Sequence, residues 1–183
     1  MLNNTLHEIT DLLEKHKLPY MVIGGYAVLF HGEPRFTEDI DIVLGVDSSS
    51  LDQVLKAVDN KFEARAKDAT QFVEQTNVLP LISLKNNIKV DLIFSFIDFE
   101  RNAIQKALSV DIEGKKVQIV RAEDLIIYKL LAGRPKDLED AKNVIEHNLT
   151  TIDIQEIDSV VQELVEGLQE IRIQEHWNQI KNL

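Results

Sequence analysis

The segment from residue 39 to residue 44, Asp-Ile-Asp-Ile-Val-Leu, constrains the fold more than any other part of the chain. Side chains alternate between the two faces of a strand, so Asp39 and Asp41 lie on one face and the intervening isoleucines on the other. Asp is uncommon in strands, and neighbouring carboxylates repel each other unless a proton or a cation lies between them. The segment therefore predicts a strand with an apolar face in the core and an acidic face suited to a hard cation such as Mg²⁺ or Mn²⁺. A solvated strand edge is the alternative for this pair taken alone.

A third carboxylate, Asp91, interrupts a second apolar run at residues 90–94. If that run forms a strand beside the first, Asp91 joins Asp39 and Asp41 on the same face. Three converging carboxylates are the ligands of two-metal sites that promote in-line phosphoryl transfer.

Two consecutive glycines, Gly24 and Gly25, follow a short apolar segment at residues 20–23 and precede a short helical pattern at 26–31. Glycines let the backbone approach a phosphate closely, and the first N–H groups of a following helix then point towards it. An ordinary tight turn without a ligand is the alternative.

The remaining patterns predict an α+β fold, in which helices flank a mixed sheet and a helical tail follows. The predicted boundary gives a core of residues 1–121 and a C-terminal helical region of residues 122–183. The segment 62–77 is ambiguous. The predicted helices are 2–17, 51–58, 98–108, 122–131, 136–147, one capped by Thr151 or Asp153, and a last amphipathic segment over 171–180. The predicted hairpins are 79–84 with 88–94 and 111–112 with 117–120.

Composition excludes several functional classes. The 183 residues include 20 Lys and Arg against 31 Asp and Glu, and the net charge of −11 disfavours a broad electrostatic grip on nucleic acid. The absence of cysteine excludes disulfides, thiol nucleophiles and thiolate metal sites. No apolar run approaches the length that crosses a bilayer, and the N-terminus lacks a signal-peptide pattern. We therefore expect a cytoplasmic protein without a membrane partner.

The glycine pair, the Asp-x-Asp segment and Asp91 together resemble the signature of the nucleotidyltransferase superfamily that includes DNA polymerase beta. That signature is an apolar residue, Gly and Gly or Ser, a spacer, and then Asp, an apolar residue, Asp or Glu, and an apolar residue. Residues 23–25 and 39–42 match it, with Gly25 rather than Ser at the second glycine position. The third acidic residue of the signature matches Asp91. The stretches 24–44 and 122–145 more narrowly resemble small bacterial AbiEii-like nucleotidyltransferases, many of them toxins of toxin–antitoxin pairs.

This resemblance implies the nucleotidyltransferase-like fold, a set of site residues, and a C-terminal helical region of residues 122–183 that completes the nucleotide site. The implied catalytic and metal-binding residues are Asp39, Asp41 and Asp91; the implied nucleotide-binding residues are Gly24, Gly25, Arg35, Thr37, Lys129 and Asp137.

Four of these residues also have ordinary structural interpretations. Arg35 is equally typical of a surface loop, and Thr37 of a residue that orders the turn before a strand. Lys129 lies beside an apolar helical face, where a lysine often extends its amine to water. Asp137 is a favourable charge near a helix N-terminus.

The function implied by the resemblance is transfer of a nucleoside monophosphate from an NTP to an acceptor hydroxyl or phosphate. The acceptor is not identified; an RNA end, a protein and a small molecule all remain open. The AbiEii-like resemblance adds a toxin-like role and a cognate antitoxin-like partner. The alternative is a noncatalytic nucleotide-binding or partner-binding module on the same fold.

Overall fold

The computed structural model describes residues 1–33 and 36–181. Within this part of the chain, helices and strands alternate over the first two thirds and helices alone follow. The helices are α1 (Leu2–Lys15), α2 (Gly24–His31), α3 (Leu51–Val58), α4 (Ala69–Thr76), α5 (Asp98–Gln105), α6 (Ala122–Ala132), α7 (Pro135–His147), α8 (Ile154–Leu168) and α9 (Arg172–Ile180). The strands are β1 (Tyr20–Ile23), β2 (Asp39–Leu44), β3 (Phe62–Ala64), β4 (Val78–Ser83), β5 (Lys89–Phe94), β6 (Leu108–Ile112) and β7 (Lys115–Ile119).

The chain divides into two compact units. Unit 1 comprises Met1–Tyr26 and Phe36–Val120, and unit 2 comprises Ala27–Arg35 and Arg121–Leu183. The first crossing between the units therefore falls inside α2, and a short segment from the N-terminal half of the chain belongs to the otherwise C-terminal unit.

Unit 1 is built on a seven-stranded mixed sheet with the order β3-β4-β5-β2-β1-β7-β6. β2 pairs with β5 and β1 with β7 in parallel, while the other neighbouring strands are antiparallel. β2 and β1 are the innermost strands that connect the two parallel pairs. This sheet confirms the predicted mixed α+β architecture and both predicted hairpins.

The core of unit 1 lies between the sheet and α1. Leu6, Ile9 and Leu13 recur on one face of α1 and are fully buried, as their helical spacing predicts. α1 packs beside α3 and contacts β2 and β7. This apolar layer supports β2 from the side opposite its acidic face.

Two predicted element boundaries need correction. The helix predicted for residues 98–108 ends at Gln105, because Leu108 begins an edge strand that pairs with Ile119. The ambiguous segment 62–77 consists of the three-residue strand β3 and the helix α4, whose N-terminus is capped by the Asp68 side chain. Each element is too short to produce a clear periodicity.

Unit 2 contains four C-terminal helices, α6 to α9, together with the segment that begins at Ala27. α6 contacts α7, α8 and α9. Trp177 is fully buried, and its indole N–H donates a 2.6 Å hydrogen bond to Asp158. In the described part of the chain, no helix combines the length and the apolar character that crossing a membrane requires.

Candidate functional site

The two carboxylates of β2 lie on one face of an inner strand of the sheet. Ile40 and Ile42 are fully buried, whereas Asp39 and Asp41 keep intermediate exposure. The alternation inferred from the sequence is thus confirmed, with the apolar side in the core and the acidic side accessible.

Asp91 lies beside this pair on the neighbouring strand. β2 and β5 are parallel, and Asp41 stands directly opposite Asp91 in their register. Adjacent strands are about 4.8 Å apart and partners in register share a face. The three acidic positions therefore meet on one surface of unit 1, as the sequence predicted on the condition that these strands are neighbours.

Gly24 follows β1 at the point where the chain passes closest to Asp41. Its φ of +65° is in the left-handed region, and a Cβ atom built there would lie 2.7 Å from the Cγ atom of Asp41. Any other side chain at this position would collide with the carboxylate and strain the backbone. Only glycine lets the turn between β1 and α2 approach this acidic face so closely.

A cation that the sequence analysis missed, Arg65, contacts the third carboxylate. Its guanidinium Nη2 donates to the Asp91 carboxylate, and its Nε donates to the backbone oxygen of Leu81 at 3.1 Å. The backbone N–H of Arg65 donates to Pro80 at 2.8 Å, and Pro80 is the register partner of Asp91. Arg65 follows a three-residue strand in an ambiguous stretch, so no pattern in the sequence points to it.

The residues before β2 have a clear structural role at one position. The hydroxyl of Thr37 donates to the Asp39 carboxylate at 3.0 Å and so holds the first acidic side chain of the strand. Arg35 lies outside the residues that the structure describes. The nucleotide-binding roles inferred for both residues stay predictions.

In unit 2, Lys129 is the centre of a buried ionic cluster. Its amine donates to Asp137 at 3.0 Å and to Asp140 at 2.8 Å, and all three side chains are at most 7% exposed. Arg134 also donates to Asp137, at 2.5 Å. Burial alone would raise the pKa of Asp137, but the hydrogen bonds from Arg134 and Lys129 outweigh it and the pKa is lowered. The cluster joins residues eight to eleven positions apart on α6 and α7, and its role in nucleotide binding stays a prediction.

The comparison with protein families decides the classification. Residues 1–182 match a family model described as "Nucleotidyltransferase of unknown function (DUF6036)". The chain belongs to this nucleotidyltransferase family. No curated protein matches the sequence significantly.

Solved structures of nucleotidyltransferases share the fold. An antigenic nucleotidyltransferase-like protein from Paracoccidioides brasiliensis is 20% identical with a TM-score of 0.58, covering 94% of this chain and 92% of its own. The structure of ANT(2")-Ia in complex with adenylyl-2"-tobramycin is 15% identical with a TM-score of 0.56, covering 85% of this chain and 92% of its own. These similarities confirm the nucleotidyltransferase-like fold.

The acidic face of this nucleotidyltransferase carries the type of ligand atom that binds a divalent cation. Its three carboxylates are the hard oxygen ligands that Mg²⁺ and Mn²⁺ prefer. Among residues 1–33 and 36–181, however, no three acidic or histidine side chains converge closely enough to hold a metal ion. Asp91 is bonded to Arg65, and Asp39 accepts from Thr37. Within these described residues, the three carboxylates thus share a face without forming a closed metal-binding arrangement, and Asp91 and Asp39 are engaged with neighbouring protein groups.

An open pocket of about 380 Å³ lies next to Asp91 in unit 1. Its walls are mainly apolar, with Phe72, Val78 and Pro80, and its polar side chains include those of Arg65 and Asp91. A concave, largely apolar surface with a few polar groups is typical of small-molecule sites. The third carboxylate therefore borders an open space on the surface of unit 1.

Proposed function

We propose that this protein is a metal-dependent nucleotidyltransferase that transfers a nucleoside monophosphate from an NTP to an acceptor hydroxyl or phosphate. The observation that supports the proposal is the register of β2 and β5, which sets Asp41 opposite Asp91 on the face that also carries Asp39. Because the chain belongs to a nucleotidyltransferase family, we interpret this acidic face as the site of the transfer reaction.

Each acidic residue has a distinct proposed task. Asp39 and Asp41, with Asp91, would hold Mg²⁺ or Mn²⁺, which when bound neutralises the charge of the triphosphate. Asp91 accepts the proton of the acceptor hydroxyl. The acceptor oxygen then bonds to the α-phosphorus, the bond between the α-phosphorus and the bridging oxygen breaks, and pyrophosphate leaves with that electron pair. Transfer to a phosphate acceptor follows the same bond changes without the hydroxyl proton.

The remaining site residues bind the nucleotide in this proposal. Gly24 and Gly25 offer backbone N–H groups and a surface without side chains to the phosphates. Arg35 and Thr37 lie just before β2 in the sequence and would contact the triphosphate. Lys129 and Asp137 are assigned to nucleotide binding by the motif resemblance, and the buried cluster that they form would give that contact a fixed geometry.

The choice of substrates for a first test follows from one of the fold relatives. The complex of ANT(2")-Ia contains adenylyl-2"-tobramycin, an adenylyl group joined to an antibiotic. By analogy, ATP is the first donor to test, and hydroxylated small molecules join RNA ends and proteins among the acceptors.

The test is a labelling screen with the four α-³²P-labelled NTPs, presented with total RNA, cell extract and an aminoglycoside. The wild-type protein is compared with the Asp39→Asn/Asp41→Asn double variant. We expect labelling to fall by roughly 100-fold or more, since a metal site supplies several kcal/mol of charge stabilisation. The matched control is Asp52→Asn/Asp59→Asn, which removes the same charge at two exposed positions of unit 1. Equal labelling by the wild type and the Asp39/Asp41 variant would refute the site assignment.

A noncatalytic nucleotide-binding module is the second candidate, and the Arg65–Asp91 contact favours it. In this contact the Oδ1 atom of Asp91 is occupied by the guanidinium of Arg65. This candidate predicts NTP binding by the wild type with no labelled product for any acceptor. Isothermal titration with a non-hydrolysable ATP analogue, run beside the labelling screen, separates the two functions.

The toxin-like role and an antitoxin-like partner derive from the AbiEii-like resemblance of residues 24–44 and 122–145. If this role applies, induced expression of the wild type arrests bacterial growth and the Asp39→Asn/Asp41→Asn variant does not. Growth unaffected by the wild type would remove the toxin role and leave the transferase proposal standing.

A further inference from the structure

Arg65 and Asp91 form an ion pair on the surface proposed above for catalysis. Both side chains are about one third exposed, at 32% and 30%, and the guanidinium donates to Asp91 Oδ1. We propose that Arg65 competes with the divalent cation for Asp91, so that the third carboxylate becomes available to the metal only when Arg65 releases it. This inference rests on the proposed function.

Two hydrogen bonds to main-chain carbonyls hold Arg65 in position, one from its backbone N–H and one from its guanidinium. The Arg65 N–H donates to the carbonyl of Pro80, and its Nε donates to the carbonyl of Leu81. Pro80 and Leu81 are consecutive residues of β4, so both bonds fix Arg65 to the strand next to β5. The side chain therefore reaches Asp91 with little further loss of conformational freedom, unlike a typical surface pair of two mobile side chains.

The position of this pair in the sheet explains why it matters. Pro80, Asp91 and Asp41 form one row of register positions across β4, β5 and β2, and the backbone N–H of Arg65 donates to Pro80 at one end of this row. The cation of Arg65 and the carboxylate of Asp41 thus lie on opposite sides of Asp91. A metal held by Asp39 and Asp41 and the guanidinium of Arg65 would attract the same carboxylate from two directions.

The neighbouring pocket lets the exchange occur without unfolding. Arg65 lines the 380 Å³ pocket together with Asp91. The released guanidinium has open space beside its present position and turns as one planar group, while the backbone N–H of Arg65 keeps its bond to Pro80. Release then costs the two side-chain hydrogen bonds, to Asp91 and to Leu81, rather than a rearrangement of β3.

The experiment measures Mn²⁺ binding to the full chain by electron paramagnetic resonance, which counts free Mn²⁺ and needs no activity. We expect Arg65→Gln to bind Mn²⁺ about fivefold more tightly than the wild type, the upper range for a partly exposed ion pair. Arg65→Lys keeps the charge but loses the Nε–H and the planar fork, and we expect a smaller gain. Arg101→Gln is the matched control, because Arg101 forms an exposed ion pair with Asp98 in the same unit.

The same titration in an Asp91→Asn background tests whether Arg65 acts through that carboxylate. We expect the gain from Arg65→Gln to shrink to the small value given by Arg101→Gln. If Arg65→Gln raises the Mn²⁺ affinity equally with Asp91 intact and with Asp91→Asn, Arg65 acts only as a distant charge. If Arg65→Gln does not raise the affinity with Asp91 intact, Arg65 does not compete with the metal. Either result overturns the inference. Absence of Mn²⁺ binding in both the wild type and Arg65→Gln also overturns it.

Thermal unfolding of every variant checks that the chain remains folded, and Arg65→Lys carries the comparison if Arg65→Gln does not fold. The labelling screen run in parallel separates the two proposals. Labelled product together with unchanged Mn²⁺ affinity in Arg65→Gln refutes the competition alone. Unchanged Mn²⁺ affinity in Arg65→Gln together with no labelled product, while nucleotide binding is retained, refutes the transferase function as well.

Discussion

At the scale of single residues, Gly24 carries two separate constraints. Its positive φ disfavours any side chain, and a Cβ atom would collide with Asp41. Gly114 provides a natural comparison, since its φ is +86° but a Cβ atom there would meet nothing within 4 Å. The two glycines therefore separate backbone strain from contact with the carboxylate.

We expect Gly24→Ala to lower the free energy of unfolding by about 2–4 kcal/mol, combining strain with the displaced carboxylate. We expect Gly114→Ala to lower it by about 1 kcal/mol, from strain alone. Urea unfolding measures both, and titration with an ATP analogue should show weaker binding only for Gly24→Ala. Equal losses in the two variants would mean that the contact with Asp41 adds nothing.

The acidic residues could be located from sequence, whereas their cationic neighbour could not. Asp39, Asp41 and Asp91 stand out because acidic side chains interrupt otherwise apolar strands, and the period of a strand assigns them a face. Arg65 is an arginine in a polar stretch, and only the pairing of β3 with β4 brings it beside Asp91. Long-range pairing of this kind leaves no local pattern.

At the scale of elements, α6 and α7 share a buried ionic cluster. We expect Lys129→Met to lower the free energy of unfolding by about 3–5 kcal/mol, because it removes the cation between two buried carboxylates. Lys136→Met, one residue before Asp137 and exposed, should change it by less than about 0.5 kcal/mol. Urea unfolding gives both values, and similar losses would contradict a special role for the cluster in stability.

The same cluster predicts a dependence of stability on pH. The pKa of Asp137 is lowered in the folded chain, so its stabilising contribution is present above the usual carboxyl value of 3.8 and is lost as the pH falls below it. Asp137→Asn should therefore lose less stability than the wild type between about pH 7 and about pH 3. Urea unfolding at several pH values measures this slope.

The control for this pH dependence is Glu139→Gln, an exposed position on the same helix. We expect its slope to follow that of the wild type. If Asp137→Asn and the wild type lose stability in parallel on acidification, the lowered pKa of Asp137 has no effect on folding.

Most elements were predictable where their patterns are long or bounded by turn residues. The hairpin β6–β7 turns at Glu113-Gly114, both with positive φ, as its sequence indicates. The boundary between α5 and β6 was misplaced because Leu108 suits either element, and its pairing with Ile119 decides the outcome. Local propensity alone does not contain that pairing.

At the scale of the whole molecule, unit 2 draws on two distant parts of the chain. Ala27 and Val28 are buried, and the Asn148 side chain donates to the carbonyl of His31 at 2.6 Å. Gly32 packs so closely on Val144 that a Cβ atom would lie 3.3 Å from its Cγ2. The C-terminal helices therefore depend on a segment that is absent from any fragment that begins near residue 121.

We expect a fragment of residues 121–183 to lack cooperative unfolding, because it loses the packing of residues 27–33. Circular dichroism during thermal unfolding measures this, with the intact chain as the reference. We expect a longer fragment to unfold cooperatively only if it begins before residue 27. Sharp, reversible unfolding of the fragment 121–183 alone would contradict this expectation.

The row of register positions from Pro80 through Asp91 to Asp41 has a consequence for engineering. Main-chain hydrogen bonds between strands set this row, so loop sequences have little influence on its geometry. A library that randomises the pocket walls at Phe72, Thr76 and Val78 changes what can approach Asp91 without moving the carboxylates. Under the proposed transferase function, such a library would be the place to look for altered acceptor preference, because the strand pairing keeps the three carboxylates on one face.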